Sequence, residues 1–312
     1  MLSVIYITSR IQPHIEWFID SLWNQTTEKE RSEKIELIFI DRLMDAPDTG
    51  LRANHFKEAV AGRFRFQHVA PKPNSYQGSH RVTREDFFAA ANARNTGVAY
   101  ANGDYLCFVD DVSVATGQWW TALKEAYWSE KITLGAYRKV RELRVEKGNI
   151  TWHSHFDGGE DSRWKHGSDS APVDCRGEWL YGCSFALPLH VMLEVNGSDE
   201  ASDGMGFEDC LLGVRLENRG HKFQYDRRML TFESEEAHHL DKIMRREDKG
   251  ISPNDKSHAI LKIAQATNRA ENAHFGPEGI SGLREVLRAK GFIPFSGMPT
   301  HDWYDGQPLA EL

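Results

Sequence analysis

The chain has 312 residues, 40% of them hydrophobic and 27% charged, the composition of one large folded α/β domain, with or without an appendage, and not of a disordered or fibrous segment. Its formal net charge of -8 argues against a broad face for nucleic acid or anionic lipid, so a polyanion would have to meet a local patch. No apolar run approaches the roughly 18 residues of a membrane span, MLSVIYITSR lacks a basic leader, and Cys107, Cys175, Cys183 and Cys210 form no C-x-x-C pair, which together predict a cytoplasmic protein with reduced thiols.

The run from Ser3 to Thr8 is compact and β-branched and predicts a buried strand. Pro13 then opens a stretch in which Ile15, Phe18, Ile19 and Leu22 fall at helical spacing. A second strand over 35–40 ends in Asp41 and leads into a long polar stretch, and 64–69 predicts a third before the turn Pro71-Lys72-Pro73. Thr83 with Asp86 has the form of a helix cap, and Phe87, Ala91 and Val98 mark one face of a helix that stops by Gly103. Tyr105 to Val109 is a wholly apolar strand that delivers Asp110 and Asp111 at its carboxyl end, where an open α/β sheet places its ligand crevice. Trp120, Leu123 and Tyr127 mark another helix, after which residues 131–180 show no clear period. Pro188 opens a short helix through Val195, Glu208 to Arg219 reads as a helix ended by Gly220, and 223–225 as a closing strand. Leu240 to Asn254 reads as a mobile surface loop, and Ser281 to Lys290 as a last helix.

Three clusters carry chemistry. The first is Ala93-Arg94-Asn95-Thr96-Gly97 followed by the strand that ends in Asp110-Asp111. The second is Glu208-Asp209 at a helix start, with Trp179-Leu180-Tyr181-Gly182-Cys183-Ser184 upstream, and the third is His238-His239 after the acidic run 233–236. In order and spacing these resemble the family-two glycosyltransferases of the GT-A type. The resemblance implies a Rossmann-like GT-A domain over 1–240, a mixed central sheet flanked by helices, with a nucleotide-binding half over 1–112 and an acceptor half over 113–240. The mobile loop and a small C-terminal helical extension then fill 241–312. It implies transfer of a sugar from a nucleotide-diphosphate donor, UDP by family habit, to an acceptor hydroxyl with inversion.

By the same resemblance Asp110 is the first acid of a DxD-type motif that holds the donor ribose and a divalent metal. The second acid falls on Val112, so Asp111 is expected to substitute as ligand, with His238 or His239 completing a site for Mn2+ or Mg2+. Asp209 takes the general-base position with Glu208 beside it, and a helix N-terminus favours the ionised carboxylate that proton abstraction requires. Thr8, Arg10 and Asp41 at strand ends, with Arg94, fall where the family contacts the donor; Trp179, Gly182 and Ser184 fall on its acceptor side.

Each cluster has a plainer alternative: turn hydrogen bonds for the aspartate pair, an acidic first turn for Glu208-Asp209, a tight turn at Gly182 and Ser184, and a solvated histidine pair. Asp104 reads as a turn residue. The middle, with Trp152, His153, His155, Trp164 and His166, reads as a packed wet loop or a sugar-stacking surface, and Lys242, Arg245 and Arg246 as a solvated run or a clasp on the diphosphate. Two rival functions remain. A nucleotidyltransferase would show a Gly-rich loop where Ile7-Thr8-Ser9-Arg10 stands, and a GT-A binding protein without turnover is favoured by Val112 and opposed by the Glu208-Asp209 pair. The acceptor is a carbohydrate or another hydroxyl compound, and the acidic balance argues against DNA.

Overall fold

The structure, a computed structural model, describes residues 1–44, 49–72, 74, 76–77, 88–155, 161–203, 206–240, 279–289 and 299–300. In chain order the first half comprises β1 (Leu2–Thr8), α1 (Ile15–Gln25), α2 (Glu28–Glu33), β2 (Ile35–Asp41), α3 (Thr49–Val60), β3 (Arg65–Val69), α4 (Ala90–Tyr100) and β4 (Tyr105–Asp110). The second comprises β5 (Ser113–Ala115), α5 (Trp119–Trp128), β6 (Ile132–Val140), β7 (Leu143–Glu146), β8 (Asn149–His153), β9 (Val173–Cys175), β10 (Ser184–Pro188), α6 (Leu189–Glu194), α7 (Glu208–Asn218) and β11 (Phe223–Ser234). After them come α8 (Glu235–Leu240), α9 (Gly279–Ala289) and β12 (Pro299–Thr300).

β1 and β2 are apolar almost throughout because both faces of the sheet are covered, and every residue of each is buried. Alternation divides them between two cores. Ile5, Ile7, Ile38 and Ile40 pack with Val98 of α4, Met192 of α6 and Leu212 of α7, while Val4, Tyr6, Leu37 and Phe39 pack with Phe18 of α1, Phe56 of α3 and Trp119 of α5. The main sheet runs β12-β3-β2-β1-β4-β10-β6-β11-β5, with β9 also on β11. It is parallel from β12 to β4, and β10 then runs antiparallel to both β4 and β6. The reversal beside β4 leaves a crevice at the carboxyl ends of β1, β2 and β4.

The differences from the sequence reading have local causes. The polar stretch after Thr26 holds α2, which a reciprocal cap between Thr27 and Glu30 starts. The middle contains the central strand β6 and the β7–β8 hairpin. β11 runs twelve residues where three were expected, because its register shifts between Asp226 and Leu230 and Arg228 pairs with Asp226 at 2.7 Å, which keeps charged residues inside a strand. The Thr83 and Asp86 cap and the loop after Leu240 lie outside the described residues. In the expected extension, α9 docks on the domain: Ile280, Leu283 and Arg284 are buried, Arg284 donates to the Val98 carbonyl of α4, and the Ile280 N–H donates to Asn196 Oδ1 at 2.8 Å. Among the described residues no helix is long and apolar enough to cross a membrane.

Candidate active site

Register brings three strand ends together, with Thr8 opposite Asp41 and Ile7 opposite Asp110. Asp41 is fully buried and accepts from Arg52 Nε at 2.5 Å, with His68 Nε2 at 2.8 Å. Burial opposes its ionisation, yet the hydrogen bonds from His68 and Arg52 outweigh that and hold the carboxyl below its usual range. Arg52 also donates to the Arg10 carbonyl at 2.7 Å, so Asp41 braces the loop after β1.

Thr8, Arg10 and Asp111 do meet, but on one another. The Thr8 hydroxyl donates to Asp111 Oδ2 at 2.7 Å and Arg10 Nε to Oδ1 at 2.8 Å, with all three side chains buried. Burial pushes the Asp111 carboxyl up, and Arg10 and Thr8 pull against it. Both oxygens are engaged and a guanidinium stands against one of them, so Asp111 does not fit the expected metal-ligand role. Val112 is buried with φ 51°, a left-handed conformation that is costly for a β-branched residue. Its N–H donates to the Tyr6 hydroxyl at 3.2 Å, and its carbonyl accepts from the Ser234 N–H at 3.3 Å. This turn commits Asp111 inward and leaves the Asp110 side chain 37% exposed.

Asp110 meets the second cluster through Arg94. The guanidinium of this α4 residue, only 3% exposed, donates from Nη2 to Asp110 Oδ1 at 3.2 Å and from Nη1 to Glu208 Oε1 at 2.9 Å. Gly182 packs on it so closely that a Cβ there would collide with Nη2 and stand 3.3 Å from Asp110 Oδ2. The Gly182 N–H donates to Asp209 Oδ2 at 2.8 Å, and the Cys210 N–H to Oδ1 at 2.7 Å. Asp209 is nevertheless pushed up to about 6, first by burial and then by the charge of Glu208, against Arg94 and the two N–H donors. The helix N-terminus does not prevail over burial here, contrary to the sequence expectation.

The residues expected on the acceptor side divide. Ser184 is fully buried, and its hydroxyl accepts from Trp119 Nε1 at 3.1 Å, which places it in the core. Trp179 is half-buried with its ring centroid 5.3 Å from that of His166, and its carbonyl accepts from Arg163 at 2.7 Å. Arg163 forms two 2.8 Å hydrogen bonds to Asp161 and lies 4.4 Å over the Tyr181 ring and 5.6 Å over Tyr137. The Tyr137 and Tyr181 rings, both half-buried, are 5.8 Å apart beside Gly182. Sequence reasoning gave no role to Tyr137, Asp161, Arg163 or Lys139, and it noted Tyr181 and Glu233 only within longer runs; Lys139 Nζ and Glu233 Oε2 are 3.5 Å apart. Burial raises the Glu233 carboxyl, Lys139 lowers it, Asp110 raises it, and the balance reaches about 7. The available signal was β6 itself, on which Tyr137 and Lys139 share a face.

Asp104 lies at the opposite end of β4, paired with the chain's amino terminus at 2.5 Å. His238 and His239 lie on α8, with side chains outside the described set, as are Lys242, Arg245 and Arg246. Among the described residues no three His, Cys, Asp or Glu side chains form a metal-holding group.

The mixed sheet, helix layers and carboxyl-end crevice are those of a GT-A fold. The structure of TarS 1-349 from S. aureus in complex with UDP-GlcNAc is similar with a TM-score of 0.56 and 11% identity, over 86% of this chain and 69% of that one. GalNAc-T7 with UDP, GalNAc and Mn2+ is similar with a TM-score of 0.56 and 14% identity, over 93% of this chain and 54% of that one. The chain spans 60% of another TarS 1-349 structure and 41% of a longer TarS. No protein-family model matches the sequence, and a search of curated proteins returns no match.

Proposed function

We propose that the protein transfers a sugar from a nucleoside-diphosphate donor to an acceptor hydroxyl with inversion, using Asp209 as general base. The Asp110–Arg94–Glu208 bridge carries this reading. One buried guanidinium ties a half-exposed acid at the crevice to the helix start that holds a half-buried carboxylate of raised proton affinity. A donor-side acid and a proton acceptor thus flank one small site. The neighbours crystallised with UDP or UDP-GlcNAc support a uridine donor.

In the reaction Asp209 takes the acceptor hydroxyl proton as that oxygen attacks the anomeric carbon. The bond to the diphosphate breaks and its electron pair leaves with the diphosphate, giving inversion. Gly182 and Cys210 hold the two Asp209 oxygens in place, and Arg94 holds Glu208 beside it. A divalent cation bound at Asp110 would offset charge on the departing diphosphate. A carbohydrate or another hydroxyl compound serves as acceptor.

A second reading, a nucleotide-sugar-binding protein without turnover, draws on the commitment of Asp111 to Arg10. The two are separated by incubating UDP, GDP and TDP sugars with wild type, Asp110→Ala and Asp209→Asn and following both binding and slow donor hydrolysis. Hydrolysis of one donor, lost in Asp110→Ala, supports the enzyme; binding without hydrolysis leaves an acceptor-gated enzyme or the second reading; neither binding nor hydrolysis overturns both.

A further inference from the structure

Glu233 is a buried acid to which the scheme above gives no task. It lies on β11 opposite Ser113 of β5, whose hydroxyl donates to the Asp110 carbonyl at 2.8 Å, so Glu233 packs against the turn that carries Asp110. Its side chain is 5% exposed. Lys139 is 3.5 Å from Oε2 and also 3.8 Å from Glu235, so its ammonium is shared. Oε1 has no hydrogen-bond partner among the described residues. A buried carboxylate oxygen without a donor is costly, and the negative charge of Asp110 bears on it as well. A cation held between Glu233 and Asp110 would offset both negative charges.

Two carboxylates suffice when the substrate completes the shell. Mg2+ is commonly held by one or two carboxylates together with substrate phosphates, and Mn2+ accepts the same oxygen ligands. We propose that Glu233 and Asp110 are the two protein ligands of a divalent cation that also takes the donor diphosphate, an inference that rests on the donor reading above. Glu233 supplies from β11 the second carboxylate that Val112 lacks and that Asp111 gives to Arg10. Lys139 is the cation's competitor: it pairs with Glu233 until the cation binds and keeps Glu235 as partner afterwards.

The test measures Mn2+ binding by the loss of the free-ion electron paramagnetic resonance signal, using full-length protein with UDP, and UDP binding separately by calorimetry in EDTA. Glu233→Gln weakens Mn2+ binding by about tenfold or more while UDP binding in EDTA stays as in wild type. UDP binding with Mn2+ affinity unchanged in Glu233→Gln overturns the inference alone; no UDP binding to wild type overturns the donor reading beneath it. Should Glu233→Gln fail to fold, Lys139→Met decides, since it leaves both carboxylates in place. Several-fold tighter Mn2+ supports the site, and unchanged affinity overturns it.

Discussion

Asp209 shows how burial can set the working range of a base. Its carboxyl is pushed up to about 6, above the usual aspartate range, by burial and by Glu208. Because the ionised form abstracts the proton, kcat/KM should fall below about pH 6 and level off above it, with an apparent value that belongs to the Glu208–Asp209 pair. A profile flat from pH 5 to 8 would remove Asp209 from that role. Asp209→Asn should cut turnover by roughly 10²- to 10⁴-fold with donor affinity kept, as single-turnover kinetics would show. Arg94→Met leaves Asp110 and Glu208 without their cation and should destabilise the fold by about 3 to 5 kcal/mol, measured by urea unfolding. Arg94, Asp110, Glu208 and Asp209, which the fold brings together, each stand in a short contiguous motif that can be picked out in the sequence. The binding mode of Asp111 cannot, since its partners Thr8 and Arg10 lie 103 and 101 residues away. The meeting of Lys139 with Glu233 was hidden for the same reason, because only the pairing of β6 with β11 brings them together.

At the scale of elements, apolar strands capped by polar turns were readable, and β1 to β4 stand where periodicity put them. β6 and most of β11 were not, since their buried charges, such as Asp226 against Arg228, break the alternation that marks a strand. The docking of α9 was equally illegible: its helical period predicts a buried stripe but not the surface that receives it. That surface is α4 with the Asn196 turn, where Gly197 packs so closely on Ile280 that no Cβ fits. Ile280→Ala should cost about 2 to 5 kcal/mol in urea unfolding; a loss under about 1 kcal/mol, the range of volume-conserving or surface changes, would mean that α9 contributes little to stability. Gly182→Ala acts on another join. It should displace the Arg94 guanidinium and lower kcat, and an Arg94→Lys background, with a slimmer head group, should soften the loss.

Across the whole molecule Arg94 of α4 joins the first half of the chain to α7 of the second, beside the pairing of β10 on β4. Hydrogen exchange with and without UDP would test that join. Protection should reach the Gly182 and Cys210 amides that hold Asp209, and protection confined to the ends of β1, β2 and β4 would show that the halves act separately. The docking of α9 has a bearing on biosynthesis too. α4 is buried from Ala91 to Tyr100, and part of its cover arrives only with Ile280 and Arg284. At roughly 5 to 20 residues per second, the about 190 residues between α4 and the end of α9 take on the order of 10 to 40 s to translate. Through that interval the nascent chain exposes to water the part of the α9 seat that α4 provides, the Val98 carbonyl included. The time of greatest need for a ribosome-bound chaperone therefore falls before residue 289 has been made, when the crevice strands are already complete.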